Sequence, residues 1–276
     1  MKILQSLIYG IISGISEFLP ISSFGHQALI RKLFGASGWN PVMDLFVHLA
    51  LLGTVVFVFW GTFSSYQREY SISKRRSRNR RNFTTSKRTY EIRLLFTAGI
   101  FMLLVLLLTA LGRKTEENAL LTCLFFLLNG VALFVPDYLR QSNKDASMLS
   151  GFDALLIGIA SGLRVLPGFS GVGMGLSVAV SRGADKTQAL NWMLILCAPA
   201  LIMLCLFDLI GIFTVTGLSV TLVSFIGYIL AAFGAVIGGY FTLMLVRFLI
   251  ANSSFTGYAC YCWGVAMLVF ILNLIS

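Results

Sequence analysis

Apolar residues fall into long blocks along the chain. Six blocks are long enough to cross a bilayer as helices: 41–63, 94–112, 117–135, 187–210, 218–248 and 256–275. Two further apolar regions are interrupted by proline, glycine and serine: residues 1–37 at Leu19-Pro20, and 150–183 at Leu166-Pro167. Broken backbone at membrane depth survives only where it is buried in protein or lines a cavity. The pattern predicts an all-α polytopic membrane protein with six transmembrane helices and two re-entrant helical hairpins; a proline-kinked ordinary span is the alternative for each hairpin.

Composition supports a membrane location. The chain has 276 residues, of which 57% are hydrophobic and 12% charged, and its mean hydropathy is +0.86. Soluble domains carry about 25% charged residues, so a soluble protein is excluded. No small-residue cleavage site follows the apolar run of Met1–Leu19, and we expect no cleavable signal peptide. The five cysteines lie in apolar segments without metal-ligand spacing.

Most of the net charge of +10 lies in one segment. Residues 67–93 hold ten lysines and arginines and two acids. The simplest interpretation is a basic cytoplasmic loop, 64–93, that obeys the positive-inside rule and contacts anionic headgroups. With this loop inside, both termini lie outside, and fifteen basic residues fall inside against five outside. Nucleic acid is not expected as a partner, because the segment lacks interleaved aromatic residues and a binding fold.

The two halves of the chain share an internal repeat. Each half has one broken hairpin and three spans, so repeat one (1–135) and repeat two (150–276) have opposite topology within a single membrane domain, 1–276. The letters "GIISGISEFLPISSFG" (10–25) align with "GIASGLRVLPGFSGVG" (158–173) with one gap. Glu17 and Arg164 both lie three residues before a proline. The inverted repeat predicts that the two hairpins meet and that this lone acid and lone base are partners.

Several stretches are similar to those of a known family. "GISEFLPISSFGH" resembles the first signature of the undecaprenyl-pyrophosphate phosphatase family, the bacitracin-resistance type, and "LPGFSGVGMGLSVAVSRG" resembles its second. "MDLFVHLALLGTVVFVFW" and "SSFTGYACYCWGVAML" are similar to further stretches in the same order. The resemblance covers nearly the whole chain. It implies a multi-pass protein of the bacterial inner membrane that dephosphorylates a polyprenyl pyrophosphate, a lipid carrier of cell-wall synthesis, with a divalent cation (Mg or Ca).

The resemblance carries over to individual residues only in part. It implies catalytic roles for Glu17, Ser23, His26 and Ser170, with Glu17 also the metal ligand. The family's first acid and its second-signature arginine are replaced here by Ser13 and Gly171. From the chemistry of phosphate recognition, we expect a substrate-binding set in which a guanidinium and the helix starts after each break contact phosphate. That set is Ser22, Arg164, Gly168 and Gly171.

Three functions therefore remain open at the level of sequence. The first is a working phosphatase with a rearranged site, and the second is a non-catalytic polyprenyl-phosphate binder or transporter (flippase). The third is a scaffold whose basic segment recruits a partner. Individual roles are open too: Arg164 is a structural mate of Glu17 or a phosphate ligand, and Ser22, Ser23 and Ser170 cap helices or take part in catalysis. Asp44 and His48 form an interfacial pair or add a ligand. The exact lipid, the metal occupancy and the oligomeric state are not specified.

Overall fold

The computed structural model describes residues 2–36, 38–78, 86–116, 118–139, 143–215, 221–252 and 254–275. Over these residues the chain is helical and has no strands, and six of its helices are long and apolar enough to cross a membrane. The predicted all-α, multi-pass class is therefore confirmed. The helices are α1 Ile3–Phe18, α2 Ser23–Leu33, α3 Pro41–Arg78, α4 Lys87–Leu106, α5 Thr109–Thr115, α6 Ala119–Phe134, α7 Gly151–Gly162, α8 Gly171–Ser181, α9 Lys186–Thr214, α10 Leu222–Asn252 and α11 Phe255–Ile275.

Much of the predicted basic loop is helical. α3 continues through Arg78 and α4 begins at Lys87, so 64–78 and 87–93 extend the membrane helices. The stretch 64–78 contains no glycine or proline, and its lysines, arginines, glutamine and glutamate are good helix formers, which favours continuation of α3 into the polar region. The middle of the predicted loop, 79–85, lies outside the described residues.

The predicted span 94–112 is two helices rather than one. α4 ends at Leu106 and the short α5 starts at Thr109, whose hydroxyl donates to the Leu106 carbonyl at 2.5 Å. A threonine hydroxyl that bonds a carbonyl of the preceding turn competes with the helical ladder. The break redirects the chain, and as a result Arg113 and Glu116 have largely buried side chains.

Both predicted breaks occur where proline places them. α1 ends at Phe18, Leu19 is extended, and α2 starts after Ser22, which has a φ of +71°. In the second repeat, α7 and one 3-10 turn end at Val165, and α8 begins at Gly171 after Gly168, which has a φ of +120°. The protein therefore contains two helix–break–helix units, α1–α2 and α7–α8. That they re-enter a membrane stays a prediction.

The two units pack reciprocally against the opposite half of the chain. α1 lies along α10 and α7 lies along α4. A Cβ on Gly10 would lie 1.9 Å from the Ala231 carbonyl oxygen, and one on Gly158 would lie 2.2 Å from that of Ala98. These glycines occupy equivalent places in the aligned letters, so the same close helix contact is made twice. α3 packs on α9 and α6 packs on α11, so each long helix pair also joins the two halves.

Candidate functional site

The two breaks lie against each other and are joined by hydrogen bonds. Ser22 Oγ accepts from the N–H of Gly168 at 2.9 Å and from that of Gly25 at 3.2 Å. Ser170 Oγ donates to the Leu19 carbonyl at 3.2 Å, and it accepts from the Gly173 N–H at 3.0 Å. Each serine therefore caps its own helix and also bonds the other break. This geometry positions the two units relative to each other.

A buried amide on α6 completes the junction. Asn129 is fully buried; its Oδ1 accepts from the Ser170 N–H at 2.9 Å and its Nδ2 donates to the Pro20 carbonyl at 3.2 Å. One backbone group of each break, the Pro20 carbonyl and the Ser170 N–H, thus finds a partner, as buried backbone polar groups require. Asn129 was not predicted from the sequence. The available signal was an amide in the interior of the apolar block 117–135.

Gly168 and Gly171 are places of close approach. Gly168 has positive φ, and a Cβ there would lie 2.7 Å from the Phe126 nitrogen. A Cβ on Gly171 would lie 2.9 Å from the Ser161 carbonyl oxygen and 3.1 Å from Cβ and Cδ of Arg164. The stem of Arg164 therefore packs against the position where the resemblance implied an arginine.

Glu17 and Arg164 form an ion pair beside the junction, and we call them the central pair. Arg164 Nη2 contacts Glu17 Oε1, and both side chains are buried. Ser23 Oγ donates to the other carboxylate oxygen, Oε2, at 2.7 Å. The predicted partnership of the lone acid and the lone base is confirmed. Because the pair comes from α1 and from the turn after α7, only the meeting of both units can produce it.

His26 lies next to the junction but bonds other groups. Its Nδ1 is 2.7 Å from the Ser22 carbonyl oxygen, which can only accept, so Nδ1 carries a proton. In the neutral ring Nε2 then accepts from the Tyr261 hydroxyl at 2.8 Å. The two rings stack with centroids 5.7 Å apart. Over the described residues, His26 has no hydrogen bond to the central pair.

The side chains around Glu17 do not fit a resident divalent cation. Mg²⁺ and Ca²⁺ take six or more oxygen ligands, whereas Glu17 is a single carboxylate whose two oxygens already contact Arg164 and Ser23. Across the described ranges, no group of three or more His, Cys, Asp or Glu residues could hold a metal ion. Glu17 as a metal ligand stays a prediction from the resemblance.

A second set of buried charges lies elsewhere in the bundle, and we call it the charged cluster. Its members are Arg31, Asp44, His48, Arg113, Glu116 and Asp208. His48 Nδ1 donates to Asp208 Oδ2 at 2.6 Å, and Asp44 Oδ1 accepts from the Tyr9 hydroxyl at 2.6 Å. An interfacial Asp44–His48 pair is therefore wrong: both residues are fully buried, and Asp44 bonds Tyr9 of α1 whereas His48 bonds Asp208 of α9.

Arginines join the charged cluster together. Arg31 Nη2 and Arg113 Nη1 donate to the two oxygens of Glu116 at 2.6 and 2.9 Å. Arg113 Nη2 also lies 3.2 Å from Asp44 Oδ2 and 3.7 Å from Asp208 Oδ1. In the described part of the chain, no hydrogen bond or ion pair connects this cluster to the central pair. Asp208 was not predicted from the sequence, although an acidic residue within an apolar membrane block indicates a functional site.

A family profile and several curated relatives are similar to nearly the whole chain. The family profile described as "Bacitracin resistance protein BacA" matches residues 6–268. Curated relatives include an "Undecaprenyl-diphosphatase" of Halothermothrix orenii, 26% identical over 99% of this chain and 98% of that protein. Another of the same name, from Carboxydothermus hydrogenoformans, is 25% identical over 99% and 98%. "Undecaprenyl-diphosphatase 1" of Shouchella clausii is 28% identical over 99% and 97%.

Proposed function

The chain belongs to the bacitracin resistance protein BacA family, and from that premise we propose that it hydrolyses undecaprenyl pyrophosphate. The products are the lipid monophosphate and inorganic phosphate, which recycles the lipid carrier for cell-wall polymer synthesis. The printed names of the relatives support this substrate class. The observation that carries the proposal is the arrangement at Glu17, whose one oxygen accepts from Ser23 and whose other oxygen contacts Arg164.

Arg164 supplies the positive charge for the substrate. Arg164 pairs with Glu17, and the oxygens of a pyrophosphate that enters the site compete with that carboxylate for the guanidinium. A planar guanidinium binds phosphate bidentately, so an exchange of partner from carboxylate to phosphate keeps a charge-assisted contact. The exchange also frees one oxygen of Glu17 while Ser23 stays bonded to the other.

Ser23 is the nucleophile in this scheme and Glu17 is its base. Ser23 Oγ attacks the terminal phosphorus, its proton passes to Glu17, and the bond between that phosphorus and the bridging oxygen breaks. The lipid monophosphate leaves, and water then cleaves the phosphoserine to restore the serine and release phosphate. Positioning and charge neutralisation supply most of the acceleration of phosphoryl transfer. Glu17 then passes the proton of Ser23 to the leaving oxygen. His26, on the same helix end as Ser23, is held by Ser22 and Tyr261 and fixes the start of that helix.

A relocated arginine explains how the site tolerates Gly171. The family signature implied an arginine after Ser170, and the stem of Arg164 lies against the space that a side chain at 171 would enter. One guanidinium is thus supplied from the other side of the same break. No step is assigned to a metal, because the donor set around Glu17 does not fit one.

We also propose a membrane arrangement for this site. The α1–α2 and α7–α8 units re-enter from opposite faces as interleaved inverted repeats of a bacterial inner-membrane protein, with both termini outside. The reciprocal packing of α1 on α10 and α7 on α4 supports this arrangement. Labelling of single cysteines at Ser71 and at Lys2 in a cysteine-free background tests it. Impermeant maleimide should label residue 2 and spare residue 71 in intact cells, and the reverse would contradict the orientation.

Phosphate release tests the enzyme directly. Purified protein in nanodiscs should release phosphate from undecaprenyl pyrophosphate, and Ser23→Ala should abolish release. Ser71→Ala is the matched control, since that hydroxyl bonds only the Gln67 carbonyl of its own helix among the described residues. No release from the wild type, or equal release from Ser23→Ala, would contradict the proposal.

A second candidate is a lipid-phosphate binder or flippase without catalysis. It is favoured by the direct contact within the central pair, in which the two charges neutralise each other. Liposomes that contain fluorescent polyprenyl phosphate distinguish the two functions. Flipping by the wild type that Arg164→Met abolishes, without any phosphate release, supports the flippase over the enzyme.

A further inference from the structure

A cavity of about 260 Å³ lies among helices that do not carry the central pair. Its wall is formed by the C-terminal part of α2, the α2–α3 connection, α5, α6 and α11. The charged residues on the wall are Arg31, Lys32, Arg113 and Glu116. One water occupies ~30 Å³ in the liquid, so the cavity has room for a phosphate group and a few attached carbons.

The cationic part of the wall is held in a fixed position. The Arg113 guanidinium lies between two aromatic rings, 4.5 Å from the centroid of Phe24 and 4.9 Å from that of Trp39. Its two terminal nitrogens are engaged by Glu116 and Asp44. Arg31 is fixed as well, by Glu116 and the Tyr9 hydroxyl. A ligand would therefore meet charges that are already ordered, which lowers the entropic cost of binding.

Three groups on the wall have spare hydrogen-bonding capacity, and each of them can donate. Arg113 Nε, Trp39 Nε1 and the Thr122 hydroxyl are shielded from solvent and have no hydrogen-bond partner among the described residues. The acid on the wall, Glu116, already accepts through both oxygens. Buried donors without acceptors are uncommon in native structures and indicate a missing partner. The partner that this wall lacks is an acceptor.

We propose that this cavity binds a phosphate-bearing anion whose oxygens accept from Trp39, Thr122 and Arg113. Basic residues outnumber acidic ones on the wall by three to one, which favours a negative ligand. Asp44 and Asp208 lie behind Arg113 and, together with Glu116, offset the three basic charges, so the unpartnered donors rather than the net charge select the anion. Because the three donors are shielded, a small side-chain rotation accompanies entry.

The ligand has two chemically related sources, a lipid headgroup and free phosphate. Val269 and Leu272 of α11 line the same cavity and are suited to the first carbons of a lipid tail. The Thr122 carbonyl lies beside Gly168, so the cavity adjoins the second break through α6. This site does not depend on the proposed hydrolysis, since none of its residues belongs to the central pair or its serine.

Binding is measured with the full chain in nanodiscs of zwitterionic lipid. The probes are undecaprenyl phosphate, detected by native mass spectrometry, and ³²P-labelled inorganic phosphate, detected by equilibrium dialysis. Both are repeated in a Glu17→Leu, Arg164→Met background, which removes the central pair as a competing site. Trp39→Phe and Thr122→Val should each weaken binding about fivefold, the factor expected for one neutral hydrogen bond. Trp60→Phe and Thr54→Val, on α3 outside the cavity, are the matched controls and should leave affinity unchanged.

Each outcome decides the proposal. Binding of both probes with competition supports a general phosphate site, and binding of the lipid probe alone supports a headgroup site. If neither probe binds in the double-variant background, the proposal is overturned. It is also overturned if both bind but Trp39→Phe and Thr122→Val match their controls. Thermal unfolding of each variant separates loss of binding from loss of fold. If either Trp39→Phe or Thr122→Val fails to fold, the other variant still tests the proposal.

Discussion

The central pair and the charged cluster are both buried sets of charges, but they differ in construction. The central pair has one acid and one base, which contact each other directly and bond Ser23. The charged cluster has six ionisable members from several helices, and its arginines each serve more than one acid. In the central pair each charge has one opposite charge beside it, whereas the members of the charged cluster share their partners. Removal of a single charged group should therefore lower the free energy of unfolding more in the central pair than in the charged cluster.

The largest expected effect comes from separating the central pair. Glu17→Leu leaves a buried guanidinium without its partner and should lower the free energy of unfolding by about 3–5 kcal/mol. Addition of Arg164→Met to that variant should restore most of the loss, because an apolar pair of similar volume replaces the ion pair. Chemical denaturation in detergent measures both. Equal stability of the single and double variants would contradict a direct pairing in the folded protein.

A smaller loss is expected from the charged cluster. Asp208→Asn removes one carboxylate charge, but Arg113 keeps Asp44 and Glu116, and the amide oxygen still accepts from His48. We expect the free energy of unfolding to fall by about 1–3 kcal/mol in the same denaturation experiment. A loss as large as that of Glu17→Leu would show that the cluster does not share its partners.

The junction of the two breaks tests the role of a neutral hydrogen-bonding residue that positions the site. Ser22→Ala deletes an acceptor used by the N–H groups of both Gly25 and Gly168. The expected cost is about 1–2 kcal/mol, the range for loss of a helix cap. Phosphate release should fall with it, because Ser22 positions the break that carries Ser23. Ser71→Ala is again the control. Stability and phosphate release of Ser22→Ala equal to those of the control would contradict a positioning role for Ser22.

These comparisons also show what the sequence could predict. The aligned breaks and the matched places of Glu17 and Arg164 predicted the junction and its ion pair, because local rules for proline, glycine and lone membrane charges apply at each site. Asn129 and Asp208 were missed because their roles depend on contacts between helices far apart in the chain. The division of the 94–112 block into α4 and α5 was also missed, since a threonine back-bond leaves no mark in hydropathy.

The smallest effect is expected at an exposed ion pair between Lys87, the first residue of α4, and Asp145, which lies outside the membrane helices. Hydrogen bonds from Lys87 and Ser147 lower the pKa of Asp145 to about 2, from an ordinary value of 3.8. A depressed carboxyl pKa adds stability above the unfolded value, and this contribution is lost as pH falls from about 3.8 towards 2. Because the Lys87 side chain is 85% exposed, solvent screens the pair.

Asp145→Asn should therefore change stability only slightly at pH 7 and by less at pH 2. Thermal unfolding across that range measures the difference between variant and wild type. A difference that grows as the pH falls would contradict the sign of this linkage.

Arg164→Lys tests the central claim most directly. Lysine keeps the positive charge beside Glu17, so the variant should stay folded, but it lacks the planar fork that holds a transferring phosphoryl group. We predict that phosphate release from undecaprenyl pyrophosphate in nanodiscs falls by on the order of 10³-fold, the scale for loss of a catalytic arginine. Release within a few-fold of the wild type, from a variant of unchanged unfolding temperature, would contradict a role for this guanidinium in the site.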